Sequence, residues 1–154
     1  QMAIGSRLPI GFAEERNFDS GLRLYRAQVD TAPRPIAILL VDMPGPPRLT
    51  TRALFRDLRR ELDAELLPFI LVGDFNTPRA SACLRRATRG LTDFHTETAT
   101  GAEWLASWPS AFPFYQIDHA FASPEVIPLA ASFESRGASD HLRQLLRFQV
   151  RGKP

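Results

Sequence analysis

Two polar side chains come directly after a short apolar run in the middle of the chain. Residues 69–72 are all apolar, and Gly73 separates them from Asp74 and Asn76. A short unbroken apolar run is typical of a strand that is buried on both faces. Because alternate residues of an extended chain point to the same side, Asp74 and Asn76 are presented together where the strand ends. An unpaired carboxylate is costly to keep in such a place, so the pattern indicates a chemical role.

Two further polar tripeptides stand at predicted strands or at their approaches. One is Ile117-Asp118-His119, and the other is Ser139-Asp140-His141. Each motif alone also has a structural interpretation. The GDFN motif could be a turn in which Asp74 caps the next residues, IDH a strand with one polar face, and SDH a loop-to-strand junction.

Other residues could take part in binding or catalysis, but each also has a simpler structural explanation. Three arginines on a short predicted helix either contact phosphates or form a solvated face; they are Arg85, Arg86 and Arg89. A group of aromatic residues either stacks on a base, lines a substrate rim or anchors a loop; it comprises Trp104, Trp108, Phe112, Phe114 and Tyr115. His95 and His119 are interpreted as structural, because no further ligands at zinc-binding spacing accompany them. Cys83 is interpreted as a small buried hydrophobic residue.

The composition is that of an ordinary soluble globular domain. The chain has 154 residues, of which 44% are hydrophobic and 23% charged, and this length fits one domain with a sizeable core. The formal net charge is only +2, which favours no class of partner strongly. Cys83 is the only cysteine, which excludes an internal disulfide. No apolar stretch approaches the length of about 20 residues that spans a bilayer.

A strand, a helix and a second strand are predicted to hold the first motif. Residues 21–30 and 36–41 have the aromatic and branched content of strands. After residue 50, apolar residues recur at intervals of three and four, with arginine and glutamate on the other faces. These apolar positions are Leu54, Phe55, Leu58, Leu62 and Leu66. The order of strand 36–41, helix and strand 69–72 resembles a crossover unit that places the helix on one face of a sheet.

The rest of the chain is predicted to contain a short helix and three more strands. Ser81 can cap a helix through Cys83, and Gly90 suits the left-handed position after it. Alternating apolar residues predict strands near 117–122, 127–133 and 146–150, with polar loops between them. The predicted class is α/β, with a mixed β-sheet and helices on one face, in a single domain over residues 1–154.

Together, in this order and spacing, the three motifs resemble the endonuclease/exonuclease/phosphatase (DNase I-like) superfamily of metal-dependent phosphoesterases. The similarity is carried by LVGDFNTPRAS, SWPSAFPFYQIDHAFASPEV and RGASDHLRQLLRFQV. It covers most of residues 36–150 and corresponds to the C-terminal part of the family domain. The resemblance implies a four-layer α/β/β/α sandwich, in which two sheets pack face to face with helices outside. The DMPGPP and SWPS segments resemble in particular bacterial members whose catalytic domain follows membrane-spanning helices, so a membrane-associated or extracytoplasmic location is one expectation.

The same resemblance implies roles for five side chains. Asp74 would activate or orient the attacking water, and Asn76 would hydrogen-bond the phosphate or the transition state. His141 would contact the scissile phosphate, Asp118 would orient His141, and Asp140 would support the metal region. A hard divalent ion, Mg²⁺ or Mn²⁺, suits such an oxygen-rich site. The resemblance implies a phosphate ester as substrate, whether nucleic acid, phospholipid or a small phosphoester. Phosphoryl transfer needs an aligned water and neutralised oxygens, which these residue types can supply.

Three features of the family have no match in the sequence, and one of them is an asparagine near the start of the family domain. The family supplies a metal-binding glutamate from an early strand, whereas Glu14 and Glu15 lie in the FAEERN segment, which is predicted to be a loop. Many members also carry a histidine where Asp42 or Met43 stands here. The missing glutamate is the more serious departure, because it removes an expected metal ligand.

The chain thus resembles a partial family domain, and we expect one face of its sheet to lack a cover. Ile38, Leu40, Leu71 and Phe121 are predicted to line that face. A missing N-terminal half, a second chain or another copy of this one would supply the cover. Two functions are consistent with this picture. One is a divalent-metal-dependent phosphoesterase or its C-terminal catalytic portion, weak or inactive as this isolated chain; the alternative is a non-catalytic binding or assembly module of the same fold.

Overall fold

The structure, a computed structural model, describes residues 4–45, 51–99, 105–135 and 138–152. Trp104 and the Arg136-Gly137 pair lie outside these ranges. Within them the chain forms strands and short helices in this order: β1 (Ile10–Asn17), β2 (Arg23–Val29), β3 (Ile36–Asp42), α1 (Thr51–Ala64), β4 (Phe69–Asp74), α2 (Ala82–Ala87), β5 (Thr92–Asp93), α3 (Phe94–Thr98), β6 (Asp118–Ala122), β7 (Val126–Glu134) and β8 (Arg143–Val150). None of the described helices is long and apolar enough to cross a membrane.

Six of the strands form one mixed sheet. Their order across the sheet is β1-β2-β3-β4-β6-β5. Strands β3 and β4 are parallel and are joined through α1, whereas the other neighbours are antiparallel. A parallel pair needs a crossover connection, and the amphipathic helix α1 provides it. The α/β class with a mixed sheet is therefore confirmed.

Helices α1 and α2 cover one face of this sheet. The helical stripe Leu54, Leu58 and Leu62 is buried, and Leu71 and Phe121 are buried in the same cluster. The prediction that Leu71 and Phe121 line an uncovered face is therefore wrong. The pairing register places them on the helix-covered face, opposite to that of Ile38 and Leu40.

The last leucine of the predicted stripe does not join the helix. Leu66 is 94% exposed, because α1 ends at Ala64. The Glu65 carboxylate accepts hydrogen bonds from the backbone N–H groups of Leu66 and Leu67 and from Arg26 on β2. This local arrangement ends the helix before Pro68 and leaves Leu66 at the surface.

The hairpin β7-β8 covers part of the other face. A second apolar cluster joins Ile70 and Ala120 of the sheet to Val126 and Val150 of the hairpin, with Phe94 of α3 beside them. Farther along the same face, Ile38 and Leu40 are only half-buried. The described ranges form a six-stranded sheet and a two-stranded one, and the full four-layer sandwich and any covering segment remain predictions.

Two segments predicted as loops contain regular structure. The FAEERN segment belongs to β1, which pairs with β2 along its length, so the loop prediction for Glu14 and Glu15 is wrong. Charged side chains are common on exposed edge strands because they discourage pairing with other chains, and Arg16 pairs with both Glu14 and Glu61. The second segment is the stretch between the short helix near Cys83 and the strand near 117–122, predicted as a polar loop, and it contains β5 and α3. The Asp93 side chain caps α3.

Candidate active site

Gly73 allows strands β3 and β4 to approach closely where the first polar motif begins. Its φ is +143°, and a Cβ atom at this position would lie 2.1 Å from the carbonyl oxygen of Val41. A glycine is therefore required here. The close approach fixes the end of β4, from which Asp74 projects.

Asp74 lies in a row of polar side chains that crosses the sheet at one end of its strands; we call it the polar row. Residues paired across neighbouring strands point to the same face. The row runs through Asn17, Arg23, Asp42, Asp74 and Asp118, from β1 across β2, β3 and β4 to β6. The side chains of Arg23 and Asp42 form an ion pair. Asp74 thus has a carboxylate on each neighbouring strand, and the nearest arginine in the row is two strands away.

His141 completes a group of three with Asp74 and Asp118. Its Nδ1 lies 2.8 Å from Oδ2 of Asp118, and its Nε2 lies 3.9 Å from Oδ2 of Asp74. One potential ligand atom from each residue lies within 4.8 Å of the others. The three sequence motifs therefore meet in one place. Strands β4 and β6 are neighbours, and the segment that leads into β8 places His141 beside both of them.

Asn76 lies beside this group and holds Asp74. Its backbone N–H donates to Oδ1 of Asp74 at 2.8 Å, and its side-chain Nδ2 donates to Oδ2 of Asp74 at 2.9 Å. The same Nδ2 donates to the Met43 carbonyl oxygen at 2.7 Å, so both amide hydrogens are engaged. Asn76 has a positive φ of 44°, which asparagine tolerates better than most residues. In this conformation Asn76 orients the carboxylate, and donation to a phosphate would require one of these bonds to open.

Ser107 links Asp118 to His141, a role that its place in the SWPS segment does not reveal. Its buried Oγ accepts hydrogen bonds from the backbone N–H of Asp118 at 3.2 Å and of Ile117 at 3.3 Å. Its carbonyl oxygen accepts from the N–H of Leu142 at 2.8 Å. The serine lies in the SWPS segment, whose composition signals a loop but not these contacts. It ties the start of β6 to the segment that carries His141.

His119 supports the same motif from the helix-covered face. Its ring is 1% exposed, and Nε2 lies 2.8 Å from the Thr77 carbonyl oxygen and donates to it. Phe75 packs edge-on against this ring, with centroids 5.4 Å apart. Burial lowers the pKa of His119, so the ring is neutral and acts as a structural support.

The pKa values of Asp74 and His141 are both raised above their ordinary values. Burial raises the pKa of Asp74 from 3.8 to about 6; the Asn76 N–H opposes the change, and the charge of Asp118 adds to it. For His141, burial alone would lower the pKa, but the hydrogen bond and charge of Asp118 outweigh it, so that the pKa is raised. Near neutral pH the site therefore pairs a carboxylate close to its titration point with a histidine biased toward its cationic form.

Asp140 directly precedes His141, but its carboxylate has a hydrogen-bond partner outside the group of three. Its Oδ2 accepts a hydrogen bond from the Trp108 indole N–H at 3.2 Å, and its carbonyl oxygen accepts from the Ser110 N–H at 2.7 Å. Among the described residues, the group with metal-ligand geometry is Asp74, Asp118 and His141, without Asp140. A metal-binding role for Asp140 remains a prediction.

The two carboxylates of the group fit a divalent cation. Oxygen-rich ligand sets suit Mg²⁺ or Mn²⁺, whereas His141, whose Nδ1 hydrogen-bonds Asp118, is placed to act as a donor. One carboxylate oxygen of Asp74 and one of Asp118 lie within 4.8 Å of one another, so negative charge is crowded here. A bound cation would relieve this repulsion.

Comparisons with known proteins identify a sequence family and solved structures of similar fold. The sequence profile described as Endonuclease/Exonuclease/phosphatase family matches residues 1–141. A search of curated proteins gave no significant match. Among solved structures, an endonuclease/exonuclease/phosphatase from Beutenbergia cavernae is similar with a TM-score of 0.71 and 21% identity, over 96% of this chain and 47% of that one.

Two eukaryotic structures are similar at lower identity. D. rerio TDP2 complexed with a single-strand DNA product has a TM-score of 0.72 and 14% identity, over 94% of this chain and 69% of that one. The human Nocturnin catalytic domain with a bound sulfate anion has a TM-score of 0.74 and 14% identity, over 94% of this chain and 60% of that one. At these identities the likeness shows the fold. The chain spans from 47% to 69% of the length of these three structures.

Proposed function

Since this chain belongs to the endonuclease/exonuclease/phosphatase family, we propose that it is a divalent-metal-dependent phosphoesterase, or the C-terminal catalytic portion of one. Members of this family act on phosphoester substrates and generally use divalent metals. The observation that carries the proposal is the contact of His141 with both carboxylates, at 2.8 Å from Asp118 and 3.9 Å from Asp74. The reaction would be hydrolysis of a phosphodiester or phosphomonoester.

The proposed roles depend on the protonation of each group. His141, held by Asp118, presents its Nε2–H to a phosphoryl oxygen and stabilises the charge that develops there. Asp74 has a pKa of about 6 in the metal-free site, and a bound cation would lower this pKa. In its ionised form Asp74 orients the attacking water and accepts its proton. The water oxygen forms a bond to phosphorus while the bond to the leaving oxygen breaks. Asn76 keeps Asp74 in place through two hydrogen bonds.

A divalent ion would be held by the carboxylates of Asp74 and Asp118. When bound, it would supply Lewis-acid stabilisation of the phosphoryl oxygens. The protein's own contribution is the crowded negative charge that attracts the cation and the hydrogen bonds that fix both carboxylates.

A second candidate is a non-catalytic module of the same fold. The positions of Glu14 and Glu15 near the start of the chain favour this candidate. Glu15 lies on β1, three strands away from Asp74 on β4, which corresponds to about 14 Å at ordinary strand spacing. Within the described ranges, the group of three is therefore not joined by a glutamate.

Hydrolysis of bis(p-nitrophenyl) phosphate and p-nitrophenyl phosphate tests the proposal. We expect slow release of p-nitrophenol with Mg²⁺ or Mn²⁺ and none with EDTA. Asp74→Ala and His141→Gln should each reduce the rate at least about 100-fold. Asp19→Asn is the matched control, because Asp19 is exposed and outside the site. Hydrolysis that persists in Asp74→Ala would refute the proposed mechanism, and a complete lack of hydrolysis in all metals would favour the non-catalytic module.

A further inference from the structure

A groove runs between helices α1 and α2 on the solvent side. Leu58 of α1 and Leu84 and Ala87 of α2 belong to one apolar cluster, so the two helices lie side by side. The groove between them has a volume of about 350 Å³, which is near the lower end of the range for ligand pockets. Its floor is apolar and is formed by Phe55, Cys83 and Ala87.

The rim of the groove is strongly basic. Among the described residues that line it there are five arginines and no acidic residue; the arginines are Arg52, Arg56, Arg59, Arg60 and Arg86. The formal net charge of the whole chain is only +2, so positive charge is concentrated at this groove. A surface of one sign attracts ligands of the opposite sign.

The protein itself neutralises little of this charge. Arg52 and Arg86 are exposed, and the ion pairs found among the described residues of the two helices do not include them. Arg56 and Arg60 share one carboxylate oxygen, Oδ1 of Asp57, at 3.7 Å each, which is too long for a hydrogen bond. Within the described ranges, these four arginines therefore meet a single carboxylate.

Arg59 joins the two helices and fixes the width of the groove. Its guanidinium donates hydrogen bonds to the carbonyl oxygens of Ala87 at 3.0 Å and Arg89 at 3.3 Å, at the C-terminal end of α2. It also forms an ion pair with Asp63. Arg59 thus holds the groove open, and a surface that is ordered in advance loses little entropy when a ligand binds.

We propose that the groove is a docking site for an acidic segment of another protein, with one large apolar side chain between its carboxylates. The arginine guanidinium matches the geometry of a carboxylate and holds it through two parallel hydrogen bonds. Arg52 and Arg60 are eight residues apart on α1, about 12 Å along the helix, and an extended segment of about four residues spans this distance. The apolar side chain would lie on the floor, where its burial adds to the binding. This proposal is independent of the phosphoesterase function.

A nucleic-acid strand or an anionic membrane matches the groove less well. Both would be attracted to the arginines, but neither makes use of the apolar floor. Among the described lining residues, the aromatic one is Phe55, which is 4% exposed. It offers no ring face on which a base could stack, and it lies too deep for the flat surface of a bilayer. A protein segment, which carries charged and apolar side chains side by side, matches the rim and the floor together.

Binding of two fluorescein-labelled pentapeptides tests the proposal. The peptide EEFEE has a phenylalanine between glutamates, and EESEE has the same charge without the apolar side chain. We expect the full chain to bind EEFEE at least about tenfold more tightly in fluorescence anisotropy, because burial of a phenylalanine side chain contributes at least this much. EDTA in the buffer removes metal ions through which the glutamates could bind at the candidate active site.

The only cysteine of the chain reports where the peptide binds. Cys83 is partly exposed and lines the groove, so a peptide bound there should slow its alkylation by iodoacetamide. We expect EEFEE to protect Cys83 and EESEE to do so only at a higher concentration.

A pair of double variants tests the role of the rim. Arg52→Gln/Arg86→Gln removes the two arginines that lack an ion pair and should weaken the binding of EEFEE at least about threefold. Arg7→Gln/Arg147→Gln is the matched control, because it removes the same charge from exposed positions that do not line the groove. It should keep the wild-type affinity.

Three results would overturn the proposal. They are equal affinity for EEFEE and EESEE, unchanged alkylation of Cys83, and equal weakening of binding by the two double variants. Protection of Cys83 by a short oligothymidylate or by phosphatidylserine vesicles, without a preference between the peptides, would overturn it in favour of a nucleic acid or a membrane.

Discussion

Replacement of Asp74 by asparagine should make the protein more stable while removing its proposed activity. Burial raises the pKa of Asp74 from 3.8 to about 6. A carboxyl group whose pKa is raised on folding contributes stability that is fully present below its unfolded pKa and is lost as the pH rises through its folded pKa. At pH 7.5 the wild type therefore carries a penalty that a neutral side chain avoids, and at pH 3.5 it does not.

The size of the effect is set by two opposing contributions. A pKa change of about two units corresponds to about 3 kcal/mol. Asparagine loses part of this gain, because both oxygens of Asp74 accept hydrogen bonds from Asn76 and an amide nitrogen cannot accept one. The lost bond costs about 1 kcal/mol. We therefore expect Asp74→Asn to raise the free energy of unfolding by about 1–2 kcal/mol at pH 7.5 and to leave it equal or slightly lower at pH 3.5.

Urea denaturation followed by circular dichroism, in EDTA at both pH values, measures this difference. EDTA is needed because a cation that binds only the wild type would stabilise it and mask the gain. Asp19→Asn removes a similar charge from an exposed position and should change stability by less than about 0.5 kcal/mol. An Asp74→Asn variant that is no more stable than the wild type at pH 7.5, or whose gain is the same at pH 3.5, would refute burial of the charge as the cause.

Three further predictions concern the residues that hold the site. Gly73→Ala should prevent folding, since its Cβ would lie 2.1 Å from the Val41 carbonyl oxygen; a cooperative unfolding transition like that of the wild type would contradict this. Ser107→Ala should lower the free energy of unfolding by about 1–3 kcal/mol, because the backbone N–H of Asp118 loses its partner; Ser107→Thr, which keeps the hydroxyl, is the comparison in the same urea titration. Asp118→Asn should lower the pKa of His141 toward or below its ordinary value, since the charge that raises it is lost; an NMR titration of the ring that shows no decrease would exclude Asp118 as the cause.

The sequence predicted the central part of the fold because its signals are local and mutually consistent. The apolar run before Gly73, the helical period of Leu54 to Leu62 and the alternation around Phe121 each specify one element. The neighbouring ends of these elements then bring Asp74 and Asp118 opposite one another. No local pattern connects His141 to these two residues; the motif resemblance pointed to it, and the fold places its ring against Asp118.

The sequence did not reveal contacts that depend on loops or on exposed strands. The SWPS segment does not reveal the role of Ser107, which comes from a buried Oγ that meets two backbone N–H groups. Strand β1 was missed because its charged residues are typical of loops, whereas here they lie on a sheet edge. The family resemblance placed Asp140 near the metal, and no local pattern revealed that its carboxylate accepts a hydrogen bond from the Trp108 indole; its role at the metal remains a prediction.

The polar row across the sheet provides positions from which the acidity of the site can be adjusted at a distance. Adjacent strands are about 4.8 Å apart, so residue 42 acts on Asp74 from one strand away, residue 23 from two and residue 17 from three. The influence of a charge falls with distance and with screening by salt over about 8–10 Å. Substitutions along this row should therefore shift the optimum pH of the proposed hydrolysis in graded steps, largest at position 42 and smallest at position 17, without replacing Asp74, Asp118 or His141. During evolution, substitutions in the polar row could thus adapt the protein to a new pH without changing the residues proposed to carry out the reaction.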